Sequence, residues 1–561
     1  MASYREYEIT PISDLRTMLV ASAEKNGTCV AFHEKRQGFY QHISYGRFKD
    51  EVEALATALA QHLPKSPRVL LIGKNGYDWA LACLSLLSGV GVPVPVDAGA
   101  SAEELAALAA SAQADAVLYD EAAAPKLRGL VGLPAVCFRS FPALIREGRE
   151  LVVAEKSLFL TPVPEPDAPA AIFYTSGTTG APKGVMLSQK NIVTVLDALA
   201  RMQQVEPLDT FLSVLPLSHI YECVLGLLFP LSRGASVAFS EGLGHLMRNM
   251  REVHPTHMVT LPFIAERVYS RFFELVAAEG KETAVRRAIA VSDPVRPLAA
   301  RRALKERLLA EARAPFGGAL SHMLVVGDSL SPAIQKGLRQ IGIFATQGYG
   351  ITECAGLAAV GREDVYLDGT AGFALPGTTV DIYNKQPDGT GEIRIKGDHV
   401  MLGYFGNDDL TARRLNNGWY YTGDFGYLDE EGYLHIVGRR ENCIERADGK
   451  LVSPEELELL LGQSPFIGDA VVVGVLDEAK SDYEPAALIS PDREHATEIL
   501  GVDHTEDELE AVIADWVTEL NGSLPQHKQI QLFALREGAF PRNPAGRILR
   551  ADLAKELESA K

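Results

Sequence analysis

Apolar residues recur along the first hundred positions in two alternating rhythms. From Ser44 onward Phe48, Val52, Leu55 and Leu59 follow the spacing of one helical face, and the next apolar run, RVLLIG at 68–73, is short, continuous and partly β-branched. The pattern predicts a helix and then a strand. It repeats: LACLSLL (81–87) predicts a helix, VPVPV (92–96) a strand, SAEELAALAASA (101–112) a helix and AVLY (116–119) a strand. Strands that are apolar throughout and alternate with helices imply a parallel sheet covered on both faces, with ligand sites where strands end and helices begin. The window from Trp79 to Val96 is uncharged and nearly long enough to span a bilayer, yet Ser88, Gly89, Gly91, Pro93 and Pro95 interrupt it. Its flanks lack basic clusters and an aromatic belt, so it reads as a buried helix, a glycine turn and a buried strand, and no transmembrane segment is expected.

From about residue 370 the rhythm shortens. TTVDIY, GEIRIKG and YLHIVG are closely spaced strand candidates divided by turns such as Pro387-Asp388-Gly389 and Glu430-Glu431-Gly432. After the charged Gly438-Arg439-Arg440-Glu441-Asn442, the run Ser453-Pro454-Glu455-Glu456 has capping-box spacing with Pro at the first helical position. AVVVGV (470–475), the amphipathic DELEAVIADWVTEL and the strand QIQLFAL follow, enough for a small α+β unit. The expected architecture is α/β: a large N-terminal domain of helix-covered sheets, 1–437, with a β-rich subdomain at about 370–437, and a small, mobile α+β C-terminal domain, 438–561.

The length of 561 residues corresponds to about four units of 150. Apolar residues make up 47% and charged residues 23%, which excludes a disordered chain, and no tandem repeat or low-complexity tract is visible. A net charge of −19 argues against nucleic acid as a partner and weakens electrostatic anchoring to anionic lipid. Six cysteines are scattered without a C-x-x-C pair, and MASYREYEIT carries charge where a signal peptide needs an apolar run, so a cytoplasmic location is expected.

The sharpest local signal is Tyr174-Thr175-Ser176-Gly177-Thr178-Thr179-Gly180-Ala181-Pro182-Lys183-Gly184, between the apolar AAIF and a helix that Ser188 can cap. Its expected context is strand, loop, helix. Glycines let backbone N–H groups approach an anion, the hydroxyls of Thr175, Ser176, Thr178 and Thr179 add donors, and Lys183 supplies a cation for a polyphosphate. The spacing does not fit G-x-x-x-x-G-K-[ST], which disfavours a P-loop NTPase.

This segment closely resembles the phosphate-binding loop of the adenylate-forming enzymes: acyl-CoA synthetases, firefly luciferase and peptide-synthetase adenylation domains. The resemblance continues in order through Leu215-Pro216-Leu217-Ser218-His219, Gly348-Tyr349-Gly350-Ile351-Thr352-Glu353, Gly391-Glu392-Ile393, Gly418-Trp419-Tyr420-Tyr421-Thr422-Gly423-Asp424, Gly438-Arg439 and Asn543-Pro544-Ala545-Gly546-Arg547-Ile548-Leu549-Arg550. It implies attack of a carboxylate on the α-phosphate of ATP with Mg²⁺, giving an acyl-adenylate and pyrophosphate, then thiolate attack to give a thioester and AMP. By the same resemblance, Thr175 to Gly180 and Lys183 hold the phosphates, Gln347 to Gly350 hold the adenine with Tyr349 against it, and Thr352 meets the α-phosphate. Glu353 takes the Mg²⁺, for which a lone carboxylate suffices because that ion keeps several waters. Asp424 and Arg439 reach the ribose, Glu441 and Asn442 sit at an interdomain hinge, His219 guards the acyl pocket, and Gly449 lines a pantetheine tunnel.

No Asp occurs between Phe211 and Leu231, where amino-acid-activating relatives place a carboxylate. LPFIAERVYSRFFEL, the charged insert VRPLAARRALKERLLAEAR and MLVVGDSL resemble the long-chain fatty acyl-CoA ligases in particular. The insert reads as an exposed basic helix without a catalytic role. The expected reaction is therefore activation of a medium- or long-chain fatty acid to its coenzyme A thioester. The alternatives are an acyl-AMP ligase that loads an acyl carrier protein, and a catalytically weakened homologue. Peripheral membrane contact stays open.

Two positions depart from the resemblance. Arg547 stands where the family has a lysine that bridges carboxylate and α-phosphate, and a planar guanidinium reaches differently from a compact ammonium. Asp328 stands in a usually small-residue segment beside the adenine, where it is expected to cap the next helix, before Ser331-Pro332.

Overall fold

The computed structural model describes residues 4–130, 132–175, 182–447, 450–477, 480, 482–502, 504–538, 540–541, 550 and 553–559. Helix Leu15–Asn26 leads into an antiparallel hairpin, β1 (Val30–Arg36) and β2 (Phe39–Ser44). Ser44 then caps the helix Tyr45–His62 by accepting the Arg47 N–H. The stripe read from the sequence, Phe48, Val52, Leu55 and Leu59, is fully buried.

Next come β3 (Arg68–Ile72), β4 (Val92–Val96), β5 (Ala116–Tyr119) and β6 (Ala135–Cys137), a parallel sheet in the order β4-β3-β5-β6. The uncharged window forms the helix Tyr77–Ser85, a π-helical turn Leu86–Val90 in which Gly89 takes φ 117°, and then β4. A Cβ on Gly91 would come within 2.4 Å of the Pro67 carbonyl oxygen, so only glycine lets β4 start there. Ser101 and Glu104 form a reciprocal capping box on Ala102–Ser111.

β7 (Pro169–Thr175) and β8 (Lys183–Ser188) form an antiparallel hairpin with Thr175 opposite Lys183. This corrects the expected strand, loop and helix: a second strand stands between the loop and the helix Gln189–Met202, which Ser188 does cap. Lys-Gly-Val-Met-Leu-Ser has no period-two alternation, and its pairing with β7 makes it a strand.

β9 (Thr210–Ser213), β10 (Ser236–Phe239), β11 (His257–Thr260), β12 (His322–Val325) and β13 (Phe344–Tyr349) run parallel. With β14 (Ala359–Val360) and β15 (Phe373–Ala374) they complete a nine-stranded sheet ordered β15-β14-β13-β12-β11-β9-β10-β1-β2. Paired residues Phe211, His257, His322 and Phe344 stand in a row across four of these strands, with ring centroids 4.7, 4.6 and 6.3 Å apart. Burial, with His322 and Arg302 nearby, holds the His257 imidazole well below its ordinary pKa, so it stacks as the neutral ring.

The charged insert is less exposed than its sequence suggests. It forms the helices Leu298–Leu308 and Ala310–Arg313. Lys305 is buried on Asp293 and the Arg339 carbonyl, Arg302 pairs with Glu363, and buried Arg313 donates to the Leu320 carbonyl. Three of its cations therefore fasten the insert to the fold. Asp328 does not cap the following helix, Pro332–Gln340; its carboxylate accepts the N–H of its neighbour Ser329 at 2.8 Å.

The chain divides into two discontinuous compact units. One comprises residues 1–380, 395–420 and 430–434; the other comprises 381–394, 421–429 and 435–561. Strands Thr379–Tyr383, Gly391–Lys396, Leu415–Asn416, Trp419–Leu428 and Leu434–Arg439 supply the expected β-rich segment. Further on, Ile467–Asp477, Asp482–Pro491 and Leu532–Leu535 form a sheet packed by helices Pro454–Leu461 and Glu506–Ser523. Ser453 caps the first of these helices, but Glu456 pairs with Lys528 instead of closing the box. Among the described residues no helix is long and apolar enough to cross a membrane.

Candidate functional site

In the larger unit, three segments named by the sequence are tied together by backbone and side-chain bonds. The first is the β7–β8 hairpin, which presents Thr175 and Lys183 on opposite sides of its loop. Ser176, Gly177, Thr178, Thr179 and Gly180 lie outside the described residues, as do Gly449 and Arg547 in the other unit. A Cβ on Gly184 would stand 3.0 Å from the Tyr174 ring, so this end of the hairpin closes tightly.

The second segment is the turn that follows β13. Gln347 spends its Oε1 on the Leu330 N–H at 3.1 Å and its carbonyl on Gly361 N–H. A Cβ on Gly348 would meet Leu357 at 2.8 Å, and one on Gly350 would meet the Gly356 carbonyl oxygen at 2.3 Å. Both glycines thus let the loop fold back on itself. Tyr349 and Thr352 are buried, and Thr352 to Cys354 form one 3₁₀ turn closed by Ala355 at φ 51°. Glu353 accepts the Tyr404 phenol at 2.7 Å, and Tyr404 sits in the strand Gly403–Tyr404 paired with β8. Leu402 N–H bonds the Met186 carbonyl and Met401 N–H the Glu353 carbonyl. The strand that begins with Lys183 and the turn that carries Glu353 therefore share one set of supports.

The third segment follows β9. The Asn75 amide donates to the Leu215 carbonyl at 2.6 Å and to the Ser213 hydroxyl at 3.1 Å, and accepts the Leu217 N–H at 2.8 Å. His219 then packs its ring 4.7 Å from that of Tyr221, and its Nδ1 accepts the Tyr221 N–H at 3.3 Å, which leaves Nε2 as the N–H nitrogen. From Tyr221 a buried π-helical turn runs to Leu228, and the Tyr221 phenol donates to the Gly350 carbonyl. This bond joins the His219 segment to the turn after β13.

In the smaller unit, Asp424 is 5% exposed and pairs with Arg439 Nε at 3.2 Å. Its position is fixed from below: Asp424 N–H donates to Thr422 Oγ1, which itself donates to the Ile393 carbonyl. Gly423 takes φ 77° within the strand Trp419–Leu428, and its carbonyl takes the Arg440 N–H. Beside Arg439, Asn442 is held by Glu455. No group of three potential metal ligands occurs among the described residues, so Glu353 stands as a single carboxylate.

Comparison with known proteins covers the three segments of the larger unit. Residues 19–405 match the family described as AMP-binding enzyme, and residues 441–560 match the AMP-binding enzyme C-terminal domain. The chain belongs to the AMP-binding enzyme family. Among AMP-binding enzymes it is 29% identical over 471 residues to the long-chain-fatty-acid–CoA ligase FadD15 of Mycobacterium tuberculosis, covering 79% of this chain and 77% of the relative. It is 27% identical over 495 residues to the human long-chain-fatty-acid–CoA ligase ACSBG1, covering 82% and 68%. The fold is shared with ATP-bound MatB from Rhodopseudomonas palustris (TM-score 0.75, 20% identity, 98% and 99% covered) and with a Mycobacterium tuberculosis fatty acyl CoA synthetase (0.66, 22%, 98% and 99%).

Three supporting residues of this AMP-binding enzyme escaped the sequence reading: Asn75, Tyr221 and Tyr404. Tyr221 stands two positions after His219 in S-H-I-Y, so adjacency was the available signal. Asn75 and Tyr404 act from distant positions in the chain, and nothing local marks them.

Proposed function

We propose that this enzyme activates a medium- or long-chain fatty acid with ATP, through an acyl-adenylate, to its coenzyme A thioester. The observation that carries the reading is the bond between Tyr221 and Gly350, which links the apolar His219 segment to the turn bearing Tyr349, Thr352 and Glu353. The similarity to ligases named for long-chain fatty acids supports the substrate class.

In this reading Thr175 to Gly180 and Lys183 hold the β- and γ-phosphates, Gln347 to Gly350 the adenine, and Asp424 with Arg439 the ribose. Thr352 orients the α-phosphate for in-line attack, and the remaining cation, Arg547, meets the charge that develops as carboxylate oxygen bonds phosphorus and pyrophosphate leaves. Glu353, whose Oε1 accepts the Tyr404 phenol, would hold Mg²⁺. That ion neutralises phosphate charge when bound. His219, neutral at Nδ1, closes the acyl side without placing a charge beside an apolar chain. A turn at Glu441-Asn442 of the C-terminal domain, 438–561, would bring Gly449 into play for thioester formation.

Pyrophosphate release with MgATP is measured across acids from acetate to stearate, with and without CoA. The expected result is CoA-stimulated turnover that peaks at a medium or long chain. Release without CoA stimulation would point to a carrier protein as acceptor, and no release with any acid would overturn the proposal.

A further inference from the structure

Glu222 is 1% exposed, lies on the π-helical turn Tyr221–Leu228, and neither carboxyl oxygen makes a hydrogen bond of good geometry. The nearest polar groups are the Ser213 hydroxyl and the Leu215 N–H, at the C-terminal end of β9, where ligands of parallel sheets bind. The carboxyl folds back over Gly226: a Cβ there would stand 2.7 Å from the carboxyl carbon, so glycine makes its room. An apolar residue would fill this space without the desolvation cost, which is how a functional group betrays itself in a core.

The site sits between the two halves of the expected chemistry. Three residues before Glu222 is His219, and one residue before it is Tyr221, whose phenol holds Gly350. We propose that Glu222 is a positioning residue: its uncharged carboxyl, wedged between Gly226 and the end of β9, keeps the His219 turn seated on Gly350, and ionisation unseats it. Burial pushes the carboxyl up to about 8, opposed only by Ser213 and Leu215. The turn packs against β9, β11 and the helices Gln189–Met202 and Phe229–Arg233. The titratable and charged groups these elements carry are Lys190, Asp197, Arg201, Arg233 and His257, and the turn itself carries Tyr221 and Cys223, the latter paired with buried Cys83.

The acid-dependent arm of the test rests on the proposed ligase reading; the AMP arm rests on family membership alone. AMP affinity by calorimetry, and kcat/KM for the best acid, are measured at pH 7 and pH 9 for the native enzyme and Glu222→Gln, with melting curves at pH 7 to verify folding. Glutamine keeps the shape and hydrogen-bonding pattern of the uncharged acid. The expected result is a fall of about tenfold in both quantities for the native enzyme at one unit above its pKa, and a flat response in Glu222→Gln, which matches the native enzyme at pH 7. Parallel pH courses in the two proteins, or a Glu222→Gln already impaired at pH 7, would overturn the proposal. Should no acid turn over, the ligase reading fails alone, and the AMP titrations still decide this one.

Discussion

The phenol of Tyr221 reaches the carbonyl of Gly350 at 2.6 Å, across 129 positions of sequence. Both groups are buried, so the bond is made away from competing water and either partner left alone would carry a desolvation cost. The geometry makes the His219 turn and the turn after β13 one mechanical piece.

Replacing Tyr221 by Phe keeps the ring against His219 and removes the bond to Gly350. A loss of about 1 kcal/mol is expected, which is about fivefold in kcat/KM for the acid, with a small drop in melting temperature. Steady-state kinetics at saturating MgATP check it; unchanged kcat/KM would show that the two turns act independently.

Tyr404 orients Glu353 and itself touches Tyr420 at 3.1 Å. Burial and the Glu353 carboxylate push its phenol above the usual tyrosine range, so it stays a donor at all working pH values. In Tyr404→Phe the Mg²⁺ concentration for half-maximal activity should rise about tenfold, as when other groups that orient a metal ligand are removed. KM for the acid should not move.

Glu222 also leaves a mark on stability. Its folded pKa, about 8, lies above the ordinary 4.5, so between those values the folded state holds a proton that the unfolded state has released. The stabilising contribution is complete below pH 4.5, declines as pH rises, and is gone above pH 8, with a slope of about 1.4 kcal/mol per pH unit at most. Denaturant midpoints at pH 5 and pH 8 should therefore converge in Glu222→Gln relative to the native enzyme.

Arg547→Lys should accelerate adenylation more than thioester formation, because a compact ammonium fits between two anionic oxygens more closely than a planar fork. Rapid-quench measurement of each half-reaction separates the two. Equal adenylation rates would remove the idea.

The parallel sheets were legible because their strands are apolar on both faces and their helices carry clear caps, Ser44, Ser101 and Ser188 among them. β8 escaped because Lys183 to Ser188 becomes a strand through its pairing with β7. Asp482–Pro491, a central strand paired on both sides, escaped because Asp482, Glu484 and Pro485 obscure its start. The insert misled for a different reason: the burial of Lys305 and Arg313 depends on partners, Asp293 and two backbone carbonyls, that composition does not announce. Of the candidate site, the motifs around Lys183, His219 and Glu353 stand out in the sequence, whereas the groups that hold them in place, Asn75, Tyr221 and Tyr404, become visible only in three dimensions.

The row of rings from Phe211 to Phe344 serves as a common datum line. In β11, β12 and β13 the ring residue is followed three positions later by Thr260, Val325 and Gln347, which are level with one another. Stacking at one edge of the sheet thereby sets the height at which chains leave the other edge. Inserting one residue after His257 would keep the rings aligned, yet it would turn the rest of β11 inside out and launch its loop from the wrong level.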